Sequence, residues 1–543
     1  MYNLQQVWNQ MWTWSEQTKN LFRFTAGMNA SPSRQDSSSN TAPASGRGTP
    51  PASRRQTVGL ILGPLLFVIT LFGISPEGLS ESAQAVLACI LWISTWWITE
   101  AIPIPATSLL PVILFPLTGA LGSGETTAAY GDPNIFLFMG GFMIALAMEK
   151  WNLHKRIALS IMSFVGTQPQ RLILGSMTAT GFLSMWISNT ATSMMMVPIG
   201  MAVIRHAAES LKENPSVDTR PGQFPFGTAM MLGIAYSASI GGLGTLIGTP
   251  PNAIFAAQVK RLFDVEISFA TWMLFGIPLV VIFLGAAWYY LVQVAYPMPF
   301  KNLPGGKKII QEEIKSLGAT RPEERAVFAV FTLTAAAWIT RDWVLKKFIP
   351  GIDDTVIALS AAVTLFLIPA RNHPDRFLLD WNTAKQLPWG ILLLFGGGLA
   401  IAEGITSSGL DQWIGEQLTL LSGMNFLFIV AIVTALVIFL TEITSNTATA
   451  TMMFPIMASF AAALNVHPYG FMVAAGLAAS CAFMLPVATP PNAVVFGSGS
   501  IQIGQMATTG FWLNLFAVLI ITVAVYFLLP AVWGIDLTNP MAR

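Results

Sequence analysis

Apolar runs of about twenty residues recur along most of this chain, separated by short polar, glycine-rich or proline-rich connections. Each run is long enough to cross a bilayer as a helix. A barrel would instead show short alternating segments. The first run covers 57–75, and others follow near 82–99, 103–121 and 133–149. The stretch 170–204 is apolar on both sides of Ser188-Asn189-Thr190. It reads as a re-entrant hairpin with that tripeptide at its tip. Runs near 227–264 and 270–297 come next, and then a polar loop over 298–325. A second series repeats the order: 325–341, 353–369, 388–406, a hairpin near 420–463 carrying Ser445-Asn446-Thr447, then 468–497 and 508–533. The pattern predicts an all-α polytopic membrane protein.

The two series are related in sequence. The segment GFLSMWISNTATSMMMVPI (181–199) matches IFLTEITSNTATATMMFPI (438–456) at eleven of nineteen positions, with an offset of 257. Gly140-Gly141 matches Gly397-Gly398 at the same offset. WITE (97–100) matches WITR (338–341) at an offset of 241, and GTPPNA (248–253) matches ATPPNA (488–493) at 240. The chain therefore reads as two related halves.

Composition sharpens this. The chain has 543 residues, of which 53% are hydrophobic and 10% charged, against about a quarter charged in a soluble domain. Net charge is +1, so charge points to no nucleic-acid partner. Cys89 and Cys481 lie far apart in apolar runs and read as buried thiols rather than a disulfide or a metal site. No HExxH, GxSxG, Walker or GxGxxG pattern assembles, which argues against an enzyme. Residues 1–56 stand apart. Positions 2–25, with Trp8, Trp12 and Trp14, read as an interfacial helix, and the Ser/Pro/Gly/Arg-rich stretch 31–56 as a disordered linker.

The cations are unevenly placed. With a cytoplasmic N-terminus, 22 of the 28 Lys and Arg residues fall on the cytoplasmic side and 6 on the other. That count puts the base of the first hairpin inside, the base of the second outside, and the C-terminus outside. The halves are then inverted relative to each other, an arrangement typical of secondary transporters.

A helix that stops midway through a membrane leaves carbonyls unpaired, and the helix that restarts leaves N–H groups unpaired. The restarting end suits an anion and the stopping end a cation. Ser, Asn and Thr add hydroxyl and amide groups able to meet a carboxylate or a small hard cation. A single such tripeptide reads equally well as a helix cap or an interhelical hydrogen-bond cluster; its duplication in inverted halves favours a binding site. Thr249-Pro250-Pro251-Asn252 and Thr489-Pro490-Pro491-Asn492 also sit inside apolar runs. Paired prolines open a helix, which frees the carbonyls of Gly248 and Ala488 as candidate cation ligands.

No Lys or Arg lies between Arg171 and Arg205, between Arg220 and Lys260, or between Lys385 and Arg543. All four motifs lie in those gaps. A dianion held there by neutral groups alone is costly, and about two monovalent cations would balance it. Glu442, three residues before Ser445, is an intramembrane carboxylate whose counterpart is Met185. It reads as a candidate coupling group or the holder of a structural hydrogen bond. Glu100, Glu149 and Glu403 read as structural.

The two Ser-Asn-Thr motifs, each followed by a Thr-Pro-Pro-Asn break, resemble the divalent anion/sodium symporter family across about residues 57–535. The resemblance implies a homodimer of eleven-helix protomers with two hairpins, working as an elevator in a bacterial inner (cytoplasmic) membrane. It implies scaffold parts over 57–165 and 326–410, transport parts over 166–297 and 411–535, and a cytoplasmic inter-repeat loop over 298–325. It implies that Ser188, Asn189, Thr190, Ser445, Asn446 and Thr447 meet substrate carboxylates, helped by Thr249, Pro250, Thr489 and Pro490. Sodium would be held by Ser184, Ser188, Asn189 and Gly248 at one site, and by Thr441, Ser445, Asn446 and Ala488 at the other. The expected substrate is a C4-dicarboxylate such as succinate, malate or fumarate, carried with sodium. A dicarboxylate exchanger, or a citrate or sulfate symporter, remains open on the same fold.

Overall fold

A computed structural model describes residues 54–541 apart from 74–76, 166–167, 213–216, 299, 301–305, 372–376 and 419–424. The expected interfacial helix (2–25) and the linker (31–56) as far as residue 53 lie outside the described residues; residues 54–56, expected at the end of the linker, instead begin the first helix. The described chain is helical throughout. Seven helices in it are long and apolar enough to cross a membrane, and four shorter apolar helices accompany them. Large apolar side chains such as Ile61, Phe72, Leu117, Leu333, Phe428 and Leu519 face outward, as a surface solvated by lipid requires.

Helix α1 (Arg54–Val68) lies against α2 (Glu81–Thr99). The two approach closely because Gly59 and Gly63 of α1 leave room for Thr99, Trp92 and Trp96. The expected single segment 103–121 is broken instead. A turn of helix at Ile104–Thr107 is followed by α3 (Leu110–Thr118), with Ser108 and Leu109 between them. Pro111 explains the break, since it has no N–H to bond the Thr107 carbonyl and continue the helix, while Pro103 and Pro105 stand at the start of the first turn. Helix α4 (Pro133–Lys150) then opens on the Asp132 cap, whose carboxylate accepts the Asn134 N–H at 2.8 Å.

The connection 150–171 contains an amphipathic helix, α5 (Leu153–Val165), that its Lys and Arg content concealed. It leads to α6 (Pro169–Ser184), α7 (Asn189–Ser210), α8 (Pro225–Gly242), α9 (Pro250–Phe263) and α10 (Phe269–Tyr289). The polar loop expected over 298–325 also folds in part, as α11 (Gly306–Ser316), which lies against α5.

The second series is α12 (Pro322–Thr340), α13 (Asp354–Leu367), α14 (Trp389–Ser408) and an amphipathic α15 (Leu410–Leu418). It closes with α16 (Phe426–Thr441), α17 (Asn446–Ala463), α18 (Pro468–Ala479), α19 (Pro490–Gly497) and α20 (Ile503–Val523).

Packing pairs the series crosswise. Helix α6 lies along α8, and α16 lies along α18. By contrast, α7 packs on α19 and α9 packs on α17, so each helix that follows a Ser-Asn-Thr meets the helix after the other half's proline pair. Glycine allows the α6–α8 contact: a Cβ on Gly241 would stand 2.2 Å from the Gly181 carbonyl oxygen.

Candidate functional site

Both tripeptides sit where one helix stops and the next begins. Helix α6 ends at Ser184, and Ser188 caps α7 by accepting the Ala191 N–H at 3.2 Å. Helix α16 ends at Thr441, and Ser445 stands at the N-terminus of α17 without a side-chain cap bond. Sixteen residues in α6 or in α16 span about 24 Å, less than a hydrocarbon core of about 30 Å, so neither helix crosses a bilayer unaided. All six Ser-Asn-Thr residues are half-buried within an otherwise buried neighbourhood.

The proline pairs start helices rather than kink them. Pro250-Pro251 and Pro490-Pro491 occupy the first positions of α9 and α19, where a missing N–H costs nothing. Thr249 and Thr489 are the capping residues, each with extended backbone and each almost fully buried. The opening lies just before them, over 243–249 and 480–489. Asn252 and Asn492 hold these openings shut in the same way. The Asn252 amide donates to the Gly242 and Thr245 carbonyls at 3.0 and 2.8 Å. The Asn492 amide donates to the Ala482 and Leu485 carbonyls, each at 3.0 Å.

An oxygen cluster forms where the first tip meets the first opening. Ser184 Oγ lies 2.6 Å from the Asn189 amide and 2.6 Å from the Ala238 carbonyl oxygen. With the amide nitrogen turned inward, Asn189 donates to Ser184 Oγ at 2.6 Å, to Ala238 O at 3.1 Å and to Gly248 O at 3.2 Å. With the amide oxygen inward, four oxygens converge and share the one hydroxyl proton of Ser184. Such a proton-poor set of neutral oxygens suits a small hard cation.

The second half repeats the arrangement. Thr441 Oγ1 lies 2.8 Å from Asn446 Oδ1 and 2.9 Å from the Ala479 carbonyl oxygen, again one proton for two acceptors. Ala488 closes a turn by donating its N–H to Leu485 O at 3.2 Å, directly before Thr489. The two halves meet at Thr249 and Ser480, whose hydroxyl oxygens are 3.4 Å apart.

Of the residues singled out in the sequence, Ser184, Asn189 and Gly248 come together, as do Thr441 and Asn446. Thr190 and Thr447 lie one residue inside α7 and α17, and Pro250 and Pro490 are partly or fully exposed on the first turns of α9 and α19. The sequence reading missed the Ala238 and Ala479 carbonyls, which no side chain announces. It also passed over Asn252 and Asn492 as site residues, although both stand at the end of the quoted Thr-Pro-Pro-Asn motifs.

Two clefts lie elsewhere. One, of about 910 Å³, is lined by Arg261, Asp264, Thr406, Asp411 and Ser459 among others. A smaller one, of about 210 Å³, is lined by Lys150, Arg156, Arg321 and Glu324 among others. No residue of the four motifs lines either cleft.

A family profile described as the sodium:sulfate symporter transmembrane region matches residues 54–537. A protein of Staphylococcus saprophyticus named sodium-dependent dicarboxylate transporter SdcS is 53% identical over 490 residues, covering 90% of this chain and 94% of that protein. The protein of the same name from Staphylococcus aureus strain USA300 is 50% identical over 494 residues, with coverages of 90% and 94%. Among solved structures, MtrF of Neisseria gonorrhoeae, described with a class of antimetabolite efflux pumps, aligns with a TM-score of 0.54 at 11% identity, covering 88% of this chain and 96% of that one. The YdaH transporter of Alcanivorax borkumensis aligns with a TM-score of 0.52 at 12% identity, covering 89% and 98%. At these identities the two structures speak to the fold alone.

Proposed function

The chain belongs to the sodium:sulfate symporter family, and on that premise we propose that it carries C4-dicarboxylates such as succinate, malate and fumarate across the membrane in symport with sodium. One observation carries this reading. Two clusters of neutral polar groups, rich in oxygen, stand at paired helix breaks, with no Lys or Arg in the neighbouring sequence. The half-identical relatives named as sodium-dependent dicarboxylate transporters support the choice of ion and of substrate class.

In this reading one sodium ion sits among Ser184, Ser188, Asn189 and Gly248, and another among Thr441, Ser445, Asn446 and Ala488. The ions supply the positive charge that the chain withholds. Substrate carboxylates then take the hydroxyls and amides of Ser188, Asn189, Thr190, Ser445, Asn446 and Thr447, at the N-termini of α7 and α17. Thr249, Pro250, Thr489 and Pro490 complete the wall. A dianion arriving without cations meets only neutral groups and binds weakly. Coupling follows from that charge balance, with no titrating side chain in the motifs.

The proposal extends to the architecture. Eleven spans and two hairpins form two inverted repeats, with the N-terminus cytoplasmic and the C-terminus outside, in a bacterial cytoplasmic membrane. Residues 166–297 and 411–535 move as a unit against a scaffold of 57–165 and 326–410 in a homodimer. On this division the 910 Å³ cleft is lined mainly by the moving part, with Ile405 and Thr406 contributed by the scaffold.

The test is uptake into proteoliposomes of the purified protein. Succinate accumulates under an inward sodium gradient and not under choline, and competition by citrate, sulfate or glutamate ranks the substrates. Equal uptake with either gradient would sink the symport reading. Uptake that requires internal dicarboxylate and no cation gradient would identify an exchanger.

A further inference from the structure

The two openings are not equivalent, and the difference centres on a buried carboxylate. The offset of 240 that relates the proline motifs carries Gly242, where α8 ends, onto Ala482. Helix α18 nevertheless ends at Ala479, three residues short of that position. In the first opening the N–H groups of Leu243 and Gly244 close turns onto the Ile240 and Gly241 carbonyls, at 3.1 and 3.0 Å. Their counterparts, Phe483 and Met484, do not. They donate to Glu442 Oε1 at 2.7 and 2.9 Å, and the Leu485 N–H donates to Glu442 Oε2 at 3.1 Å. The Asn514 amide of α20 adds a fourth donor, 2.8 Å from Oε1.

Glu442 is 3% exposed and Asn514 is fully buried. Four donors therefore converge on one buried carboxyl group. It takes the N–H groups of the opened segment while Asn492 takes two of its carbonyls. The carbonyls of Ser480 and Cys481 are thereby released from the turn bonds that their counterparts make. The residue before Glu442 is Thr441, whose hydroxyl anchors the second oxygen cluster. At the matching place in the first half stands Met185, whose apolar side chain packs against Gly244.

We propose that Glu442, held by Asn514, is a positioning residue for the second cation site: it keeps residues 480–485 unwound beside Thr441, an arrangement the first site lacks. The proposal rests on the sodium-symport reading above. Its consequence is that the two cations bind unequally, the one beside Asn446 more tightly than the one beside Asn189.

The experiment compares wild type, Glu442→Gln and Asn514→Leu in two measurements. The first is the sodium dependence of succinate uptake, separated into half-saturating sodium and maximal rate. The second is the rise in melting temperature of the detergent-purified protein on adding sodium without substrate. Glu442→Gln raises half-saturating sodium by about tenfold, the loss expected when a buried hydrogen-bond set is disturbed, and largely removes the sodium-induced thermal shift. Asn514→Leu, which keeps the carboxylate, moves both in the same direction by less. A fall in maximal rate alone, with half-saturating sodium and the thermal shift unchanged, overturns the positioning role. If Glu442→Gln does not fold, Asn514→Leu decides by the same two readouts. A wild type indifferent to sodium would instead overturn the symport reading.

Discussion

Thr249 and Ser480, 231 residues apart in the chain and both buried, bring their hydroxyl oxygens to 3.4 Å. One caps the helix that follows the first opening, and the other ends the helix that precedes the second. The contact makes the two openings a single wall. Thr249→Val keeps the shape and removes the hydroxyl. It is expected to raise the KM for succinate by about tenfold, the value of one lost buried hydrogen bond, with a smaller effect from Ser480→Ala. Initial-rate uptake at saturating sodium reads this directly.

Asn189→Ala and Asn446→Ala each remove an amide from one oxygen cluster. Each is expected to nearly abolish sodium-coupled uptake while leaving a monodisperse, folded protein in detergent. Near wild-type transport by either folded variant would mean that the tips serve structure alone.

Asn252 and Asn492 act differently, since each spans two carbonyls of an opening. Replacing either with Ala leaves two buried acceptors unpaired, at a cost of about 1–3 kcal/mol per group. Thermal denaturation is expected to show a clear loss of stability in both, and sodium should recover little of it. A melting temperature equal to that of wild type would remove the case for these clamps.

The α6–α8 crossing gives a steric prediction with its own control. Gly241→Ala places a methyl 2.2 Å from the Gly181 carbonyl oxygen, so backbone must move and the folded yield should collapse. Gly285→Ala on α10 meets nothing within 4 Å and is expected to be tolerated, with a gain of up to about 1 kcal/mol from helix propensity. Detergent-solubilised yields and melting curves of the two variants separate these outcomes.

One ion pair carries a pH prediction. Lys150 Nζ lies 2.6 Å from Asp380 Oδ2, and that contact, helped by the Thr383 hydroxyl and N–H, holds the Asp380 carboxyl well below the usual carboxylate range. A carboxyl depressed in the folded state stabilises the protein above its unfolded pKa, and that contribution fades as pH falls through the folded value. Both groups are partly exposed, so the effect is about 1 kcal/mol or less. Asp380→Asn should therefore lower the melting temperature at neutral pH. The gap to wild type should narrow as acidity increases below the normal carboxylate range.

The sequence was legible where polarity interrupts apolar runs. Ser188-Asn189-Thr190 and the Thr-Pro-Pro-Asn motifs stand out because neutral polar groups and paired prolines are costly inside a span, and the breaks lie beside them. The amphipathic α5 and α11 were hidden because their charges also suit loops, and only packing on a partner makes such short segments helical. Pro111 signalled the break before α3, but the surrounding apolar run outweighed it. The Ala238 and Ala479 carbonyls could not be read at all, since backbone oxygens leave no trace in residue identity. Glu442 was visible as an oddity, yet its partners at 483–485 depend on where α18 stops, and that is a property of the fold.

The crosswise packing of α7 on α19 has a consequence for biosynthesis. Ser210 and Pro490 are 280 residues apart in the chain. At about 5–20 residues per second, a ribosome finishes α6 and α7 tens of seconds before the helix that covers them exists. Through that interval a Ser-Asn-Thr tip must wait at the membrane without its final neighbour. The first cluster, built from residues 184–248, can form early, but its cover by α19 is added only when nearly the whole chain has been made.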